Sequence, residues 1–546
     1  MPRSLALVLA LVLTCLPGAS ATRLAAVPAN GDGISATRVR ADVEFLADDL
    51  LEGREAGTRG YDLAARYVAA ALKAAGYTAA GDSGTYFQQV PMIETTTTSG
   101  TIRVAVRGQT SDIAVPAEAL VGAGAASPER TLTAPVVFAG YGVTAPEFGH
   151  DDYADLDVSG TIVAVLLGAP ATLPAEPRAY YSGDSKSKNA ADRGAVGLIT
   201  LFTPDEAKRF PWTAVLANGN RPSLTWAKAD GTPGTTEPRL RGGALFSVEG
   251  ASRLFAAASM TYEQAVGAAA AGHAGGGPLN IEMTIASTGT HRRVSSPNVV
   301  GKLEGSDPLL AATSVVLTAH LDHTGMSPKG DGDRINNGAY DNATGSAIIL
   351  EVARALAAQP VRPKRSLVVA LVTAEERGLV GSDYFARHPG PAVGRIVANV
   401  NLDMPTFQFT SRDLVAFGSE NSTLDAVVRD TVAALGYTLS PDPMPEQTIF
   451  IRSDQYSFVK QGVPAVYLMP GFTAVDPAVN GQQVFGGFLA QHYHKPSDDL
   501  SLPMDLAAVE KFTRANYLVA KAIADDPVEP TWKPGNFFGK VFGKKN

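Results

Sequence analysis

The chain has 546 residues, 45% hydrophobic and 18% charged, with a formal net charge of −8. That length predicts two to four domains, and that balance excludes an intrinsically disordered chain. An acidic total with no Lys/Arg block argues against nucleic acid as the principal partner.

The first twenty-one residues read as a secretory signal. Arg3 precedes an apolar run from Leu5 to Leu16, followed by Pro17-Gly18 and the small triplet Ala19-Ser20-Ala21, with cleavage expected after Ala21. A secreted or periplasmic protein follows. A lipoprotein signal at Cys15 is the alternative, and Thr14 is a poor residue ahead of a lipidated cysteine. No stretch reaches the ~20 apolar residues of a membrane span, so no integral span is expected. Cys15 is the only cysteine, so any metal in the processed chain must rest on carboxylates and the eight histidines.

From Ile34 to Gly76 apolar residues recur at helical spacing (Val39, Val43, Leu46, Leu50), with a second helix from Tyr61 closing at Gly76. The loop Leu51–Gly60 between them holds three Gly and two Arg. Residues 86–125 read as strands. Between 126 and 285, short apolar strands (Pro135–Ala139, Thr161–Leu167, Val196–Leu201) sit among Gly, Pro and Asp turns, with one helix around Ser187–Arg193. That segment reads as a β-rich domain ending in the Gly-rich tract Gly272–Gly277. From about Asn298 onward, strand and helix alternate. Val315–Thr318, Leu367–Val372, Ile396–Leu402 and Ala465–Leu468 are near-continuous apolar runs, as in strands covered on both faces. Helices Gly345–Ala358, Leu424–Leu435 and Leu506–Ala524 accompany them. The fold class is α/β with a mostly parallel central sheet. The expected division is a signal at 1–21, a first part of the main domain at 22–125, the insert at 126–285, the main domain at 286–526, and a loosely ordered tail at 527–546.

Ligands of open α/β sheets gather at the carboxyl ends of strands, and here each end carries metal-competent side chains. The first strand runs into His320-Leu321-Asp322-His323, the next into Glu375-Glu376, and the third into Asp403. Asp341 lies in Gly338–Gly345 where a long helix begins, and His492-Tyr493-His494 lies in a loop before the last helix. Each group alone has an ordinary reading: a satisfied polar strand end, a helix N-cap, an acidic turn or a surface loop. All five ordinary readings must hold together in one sheet, and the joint pattern favours a metal site.

The order His-x-Asp, Gly-x-x-Asp-Asn, Glu-Glu, Asn-x-Asp and Tyr-His resembles the secreted co-catalytic zinc aminopeptidases of the glutamate carboxypeptidase superfamily. The resemblance covers about 35–90 and 290–525. Phe138–Val143 and Gly194–Gly197 resemble the protease-associated domain found in such peptidases; its partner is not legible. The resemblance implies two zinc ions bridged by Asp341, with His320 and Asp403 completing one ligand set and Glu376 and His494 the other. It also implies Glu375 as general base, Asp322 orienting a ligand imidazole, Tyr493 as a candidate to polarise the scissile carbonyl, and a cis Asp341–Asn342 peptide. Two zincs sharing a carboxylate stand ~3.5–4 Å apart and acidify a water between them. His323 matches a non-ligand residue of the relatives, and His492 reads as surface. Ser453-Asp454 and Tyr456 resemble a segment near the substrate pocket.

The implied activity is a zinc exopeptidase acting on peptides, most simply an aminopeptidase. A carboxypeptidase or dipeptidase of the same superfamily stays open, with Arg377 and Arg452 as its candidate cations, as does a non-catalytic receptor-like ectodomain. Gly81–Gly84 echoes a serine-protease loop, but Ser83 precedes His320, the wrong order for that triad. The sequon Asn342-Ala343-Thr344 would put a glycan on the metal site and is read as a chance match.

Overall fold

The computed structural model describes residues 32–543 except 184, 220, 236, 273–275 and 328–331. The signal, its cleavage point, Cys15 and the middle of the Gly-rich tract lie outside the described residues.

Four mutually parallel strands form the centre of the main sheet. Ala465–Pro470 pairs with Arg395–Asn401, that strand with Thr313–His320, and that one with Ser366–Val372. Antiparallel strands flank them, Asp413–Phe417 on one side and the end of Gly277–Leu303 on the other. Thr313–His320 and Ser366–Val372 are buried at every position, which explains their unbroken apolar sequence. Alternate residues go to opposite faces. Val315, Leu317, Leu367, Val369 and Leu371 join the core under the helices Thr344–Ala357 and Leu506–Asp525. Val316, Val368, Ala370 and Val372 pack instead on Phe385 and Phe458. The result is a sheet between two helical layers, each buried aliphatic side chain contributing ~1.5–3 kcal/mol.

Two long strands carry the chain out of this core and back. Phe87–Val106 and Gly277–Leu303 pair antiparallel over most of their length. The outer part of the returning strand pairs with Glu129–Phe138, which begins a second parallel array: Glu129–Phe138, Ile162–Leu166, Gly197–Leu201 and Gly242–Phe246. Among the described residues, six α-helices between Ala175 and Ala270 accompany it. The segment 126–285 is therefore mixed α/β, where the sequence read mainly strands. Helices of six to nine residues with weak apolar periodicity escape a pattern search.

The tail also departs from expectation. Trp532 bridges to Ser422, and the short helix Phe537–Phe542 buries Phe538 completely. Phe537 packs on Tyr180 and Tyr181 of the 126–285 segment, while Phe538 packs on Phe450 and Tyr456 of the main domain. Its three prolines suggested looseness, but its aromatic residues decide its packing.

Candidate metal centre and substrate cavity

The parallel array puts three strand exits side by side. His320 ends the central strand, Glu375 and Glu376 follow its neighbour, and Asp403 follows the other. The backbone bends sharply there: Ala374 (φ 53°), Met404 (φ 46°) and His494 (φ 57°) occupy the left-handed region that side chains disfavour. Asp341 sits in the turn before helix Thr344–Ala357, and its peptide to Asn342 is cis. Gly338 opens that turn at φ +60°, where a Cβ would lie 2.1 Å from the Asp341 carbonyl oxygen and 2.6 Å from the His323 ring.

The five expected ligands converge. His320 Nε2 lies 3.3 Å from Asp341 Oδ1 and 3.1 Å from Asp403 Oδ1. His494 Nε2 lies 3.2 Å from Asp341 Oδ2 and 3.0 Å from Glu376 Oε2. The two oxygens of Asp341 thus face two different sets of donors. One donor atom each from His320, Asp341 and Asp403 falls within 4.8 Å of the others, and so do those of His320, Glu375 and Glu376. His nitrogen with carboxylate oxygen and no thiolate is a donor chemistry that zinc accepts.

His323 belongs to the site more closely than its sequence reading allowed. Its Nδ1 lies 2.7 Å from Glu376 Oε1 and 3.8 Å from Asp341 Oδ2, and it forms a third potential metal group with those residues. Its Nε2 is buried without a hydrogen-bond partner. His323 therefore takes one oxygen of Glu376 and leaves the other to His494.

Asp322 differs from expectation. The imidazole of His320 meets the backbone carbonyl of Asp322, 3.0 Å from Nδ1, not its carboxylate. The carboxylate instead accepts the backbone N–H groups of Glu375 (3.1 Å) and Glu376 (3.4 Å). It fixes the acidic pair, and burial pushes its pKa up to about 7. Two further supports carried no motif. Asp498 accepts the N–H groups of Tyr340 and Asp341 at 2.9 and 3.0 Å. Arg54, fully buried in the Gly-rich loop, donates to the carbonyls of Leu46, Leu321, Asn337 and Gly338. The sequence signals were an Arg among glycines and an Asp two residues past Pro496, and neither type specifies such a role. Asn342 is 1% exposed, donates to the Leu402 carbonyl and accepts from Gly345, which leaves no room for a glycan.

The charges describe a strongly negative pocket. Burial alone would lower the His320 pKa, yet Asp403, Glu375 and Asp341 hold it well above the usual imidazole range. Burial likewise opposes the raised value of His494, about 10, which Asp341 and Glu376 sustain. Glu376 is held down to about 2 by His323 and His494 against burial and Asp341, while burial raises Glu375 well above the carboxylate range. These two adjacent carboxyls are driven in opposite directions, a mark of divided roles.

A cavity of about 290 Å³ opens on the cluster, lined by Asp341, Glu375, Glu376, Asp403, Tyr493 and His494 on one side. Its other wall is largely apolar and includes Met404, Met444, Ile449, Met469 and Phe485, with Phe210 reaching in from the 126–285 segment. Tyr493 stacks on the His494 ring at 3.8 Å, and burial with the surrounding carboxylates raises its hydroxyl pKa. His492 turns away, its Nδ1 3.0 Å from Ser497 Oγ. Among the described residues no helix is long and apolar enough to cross a membrane.

Residues 298–520 match peptidase family M28. The leupeptin-inactivating enzyme 1 of Streptomyces exfoliatus is 27% identical over 256 residues, which cover 45% of this chain and 53% of that one. A probable zinc metalloprotease of Pyrenophora tritici-repentis is 34% identical over 116 residues, 20% of this chain and 23% of that one. The chain thus spans about half the length of the first of these relatives. Among solved structures, an aminopeptidase from Aneurinibacillus sp. strain AM-1 aligns over 92% of this chain and 96% of its own, at 19% identity and a TM-score of 0.49. A zinc aminopeptidase from Bacillus subtilis aligns over 90% and 95%, at 16% identity and a TM-score of 0.42. All five converging candidate ligands, with Glu375, fall inside the region, 298–520, that matches peptidase family M28.

Proposed function

We propose that the protein is an exported zinc exopeptidase, an aminopeptidase that removes N-terminal residues from peptides. The observation that carries this reading is the split of Asp341: one oxygen beside His320, the other beside His494. Two zinc ions would share Asp341, one completed by His320 and Asp403, the other by Glu376 and His494. Zinc held there supplies Lewis acidity, polarising the scissile carbonyl and lowering the pKa of an attacking water towards neutrality.

The chain's own residues do the rest. Glu375 stands beside the ligands and is not needed as one, so its carboxylate takes the proton from water and returns it to the leaving amine nitrogen. Asp322 holds the Glu375 and Glu376 amides, so the base and the adjacent ligand keep a fixed spacing. Tyr493 reaches the same cavity, and its hydroxyl donates a hydrogen bond to the scissile carbonyl oxygen. Four carboxylates line the cavity floor and would leave two divalent ions no net positive charge there, so the floor offers a substrate carboxylate no fixed cation and tolerates the α-ammonium. Residues 126–285 act as a protease-associated domain whose Phe210 narrows the cavity mouth.

The test compares one peptide with its N-acetylated and C-amidated forms, with and without a chelator. Chelator-sensitive cleavage that N-acetylation abolishes is expected. Cleavage that survives acetylation and ends on amidation would replace the aminopeptidase by a carboxypeptidase. No cleavage of any form would favour a non-catalytic role.

A further inference from the structure

The cavity wall holds one feature that the proposed chemistry does not use. Arg452 lines the same cavity as the acidic cluster, and it is the only Lys or Arg among the described lining residues. Its backbone is fixed, because its N–H donates to the Ile449 carbonyl at 3.0 Å and the next residue, Ser453, accepts from Asn401 at 2.9 Å. Its guanidinium is not fixed. Nη1 reaches only the Gln447 carbonyl and Oε1, both at 3.4 Å, the outer limit of a hydrogen bond. Among the described residues no carboxylate pairs with it. By contrast Arg377, the other cation near the acidic pair, is spent on Glu55 and on the Pro222 carbonyl.

We propose that Arg452 is a specificity-determining residue that receives a carboxylate of the substrate, so that the protein favours short or acidic peptides. This rests on the exopeptidase reading of the same site. Two divalent cations would balance the four carboxylates of the floor and leave Arg452 without a counter-charge. A planar guanidinium with free donors is the side chain best matched to a carboxylate, in bidentate geometry. Distance limits the source. Only two or three residues of extended chain, at ~3.3–3.6 Å each, span a cavity of this size. The carboxylate is therefore the α-carboxylate of a dipeptide or tripeptide, or an acidic side chain next to the cleaved bond. Exposed Arg452 is reached from the mouth of the cavity, where the rest of such a peptide would lie.

The experiment uses two peptide pairs, all with a free amino group: Leu-Gly against Leu-Gly-amide, and Leu-Glu-amide against Leu-Gln-amide. The full chain should cleave the acid of at least one pair with a kcat/KM about tenfold higher, chiefly through KM, the size of a charge-assisted hydrogen bond. Arg452→Met should bring that ratio within about twofold of one, and Arg452→Lys should retain part of it. A gain in the first pair alone assigns the terminal carboxylate, and a gain in the second alone assigns the side chain. Ratios near one in both pairs for the unmodified chain, or an undiminished preference in Arg452→Met, would overturn the proposal. Calorimetric titration of the same four peptides into the Glu375→Gln chain separates this claim from the exopeptidase reading. Tighter binding of an acid than its neutral partner supports it with no turnover at all, and equal affinities overturn it.

Discussion

The molecule contains two parallel strand arrays flanked by helices, and only one carries chemistry at its strand ends. In the main domain the exits bear His320, Glu375-Glu376 and Asp403, which face one another. In the 126–285 segment the corresponding exits bear Ala139-Gly140, Leu167-Gly168, Phe202-Thr203 and Ser247. Polar groups do lie near these exits, but the backbone uses them. Asp152 accepts the N–H groups of Tyr141 and Val143, and Lys186 donates to the carbonyls of Leu166 and Gly168. A parallel sheet offers positions, and side chains left unsatisfied by the backbone turn those positions into a site.

The sharpest way to break this contrast is at the acidic pair. Glu375→Gln should lower turnover ~10²–10⁴-fold, because a positioned base is worth that much, while metal content stays near the parent value. Glu376→Gln should lose metal as well as turnover. Equal metal loss in both variants, by elemental analysis, would show that the roles are misassigned.

A second test addresses how the C-terminal tail is held on the main domain. Phe538→Ala removes a fully buried ring and should cost about 3–5 kcal/mol, read from the denaturant midpoint. Loss below about 1 kcal/mol would mean the tail clamps nothing.

The junction should also respond to pH. Glu176 of the segment accepts from Asn421 of the main domain at 2.6 Å, and burial pushes its pKa up to about 7 from 4.5. A carboxyl whose pKa is raised by folding stabilises in its protonated form. That stabilisation is complete below the unfolded value near 4.5 and is lost as pH rises through about 7. The loss, compared with Glu176→Gln, should be on the order of 3 kcal/mol. Parallel stability–pH curves for the two proteins would contradict it. The smallest effect is expected at Trp226, whose Nε1 donates to Asp383 at 2.9 Å. Trp226→Phe should cost about 1 kcal/mol in a denaturation curve and leave metal content unchanged.

Much of this was legible in the sequence, for identifiable reasons. Strands buried on both faces betray themselves by unbroken apolar runs, and their ends then name His320, Glu375, Glu376 and Asp403. Asp341 and His494 lie off the strands, in a helix-entry turn and a polar loop, and the resemblance to a family pattern assigns them their ligand roles. What escaped was everything that depends on a contact across the chain. Arg54 and Asp498 act on backbone groups 284 and 157 positions away in sequence, so no local spacing announces them. Asp322 was found, but which of its atoms meets His320 is a matter of geometry alone. His323 reads as a non-ligand by the family pattern, and only its 2.7 Å approach to Glu376 shows how closely it borders the site. The tail was misread because prolines signal irregular backbone, whereas packing follows Trp532 and Phe538.

The central claim is that Asp341 divides its oxygens between two metal ions. The direct measurement is an anomalous-scattering map of crystals grown with zinc, collected on both sides of the zinc edge. Two peaks separated by ~3.5–4 Å are expected, one against His320, Asp341 and Asp403, the other against Asp341, Glu376 and His494. A single peak, or a second ion bound through His323 with His494 turned away, would contradict it.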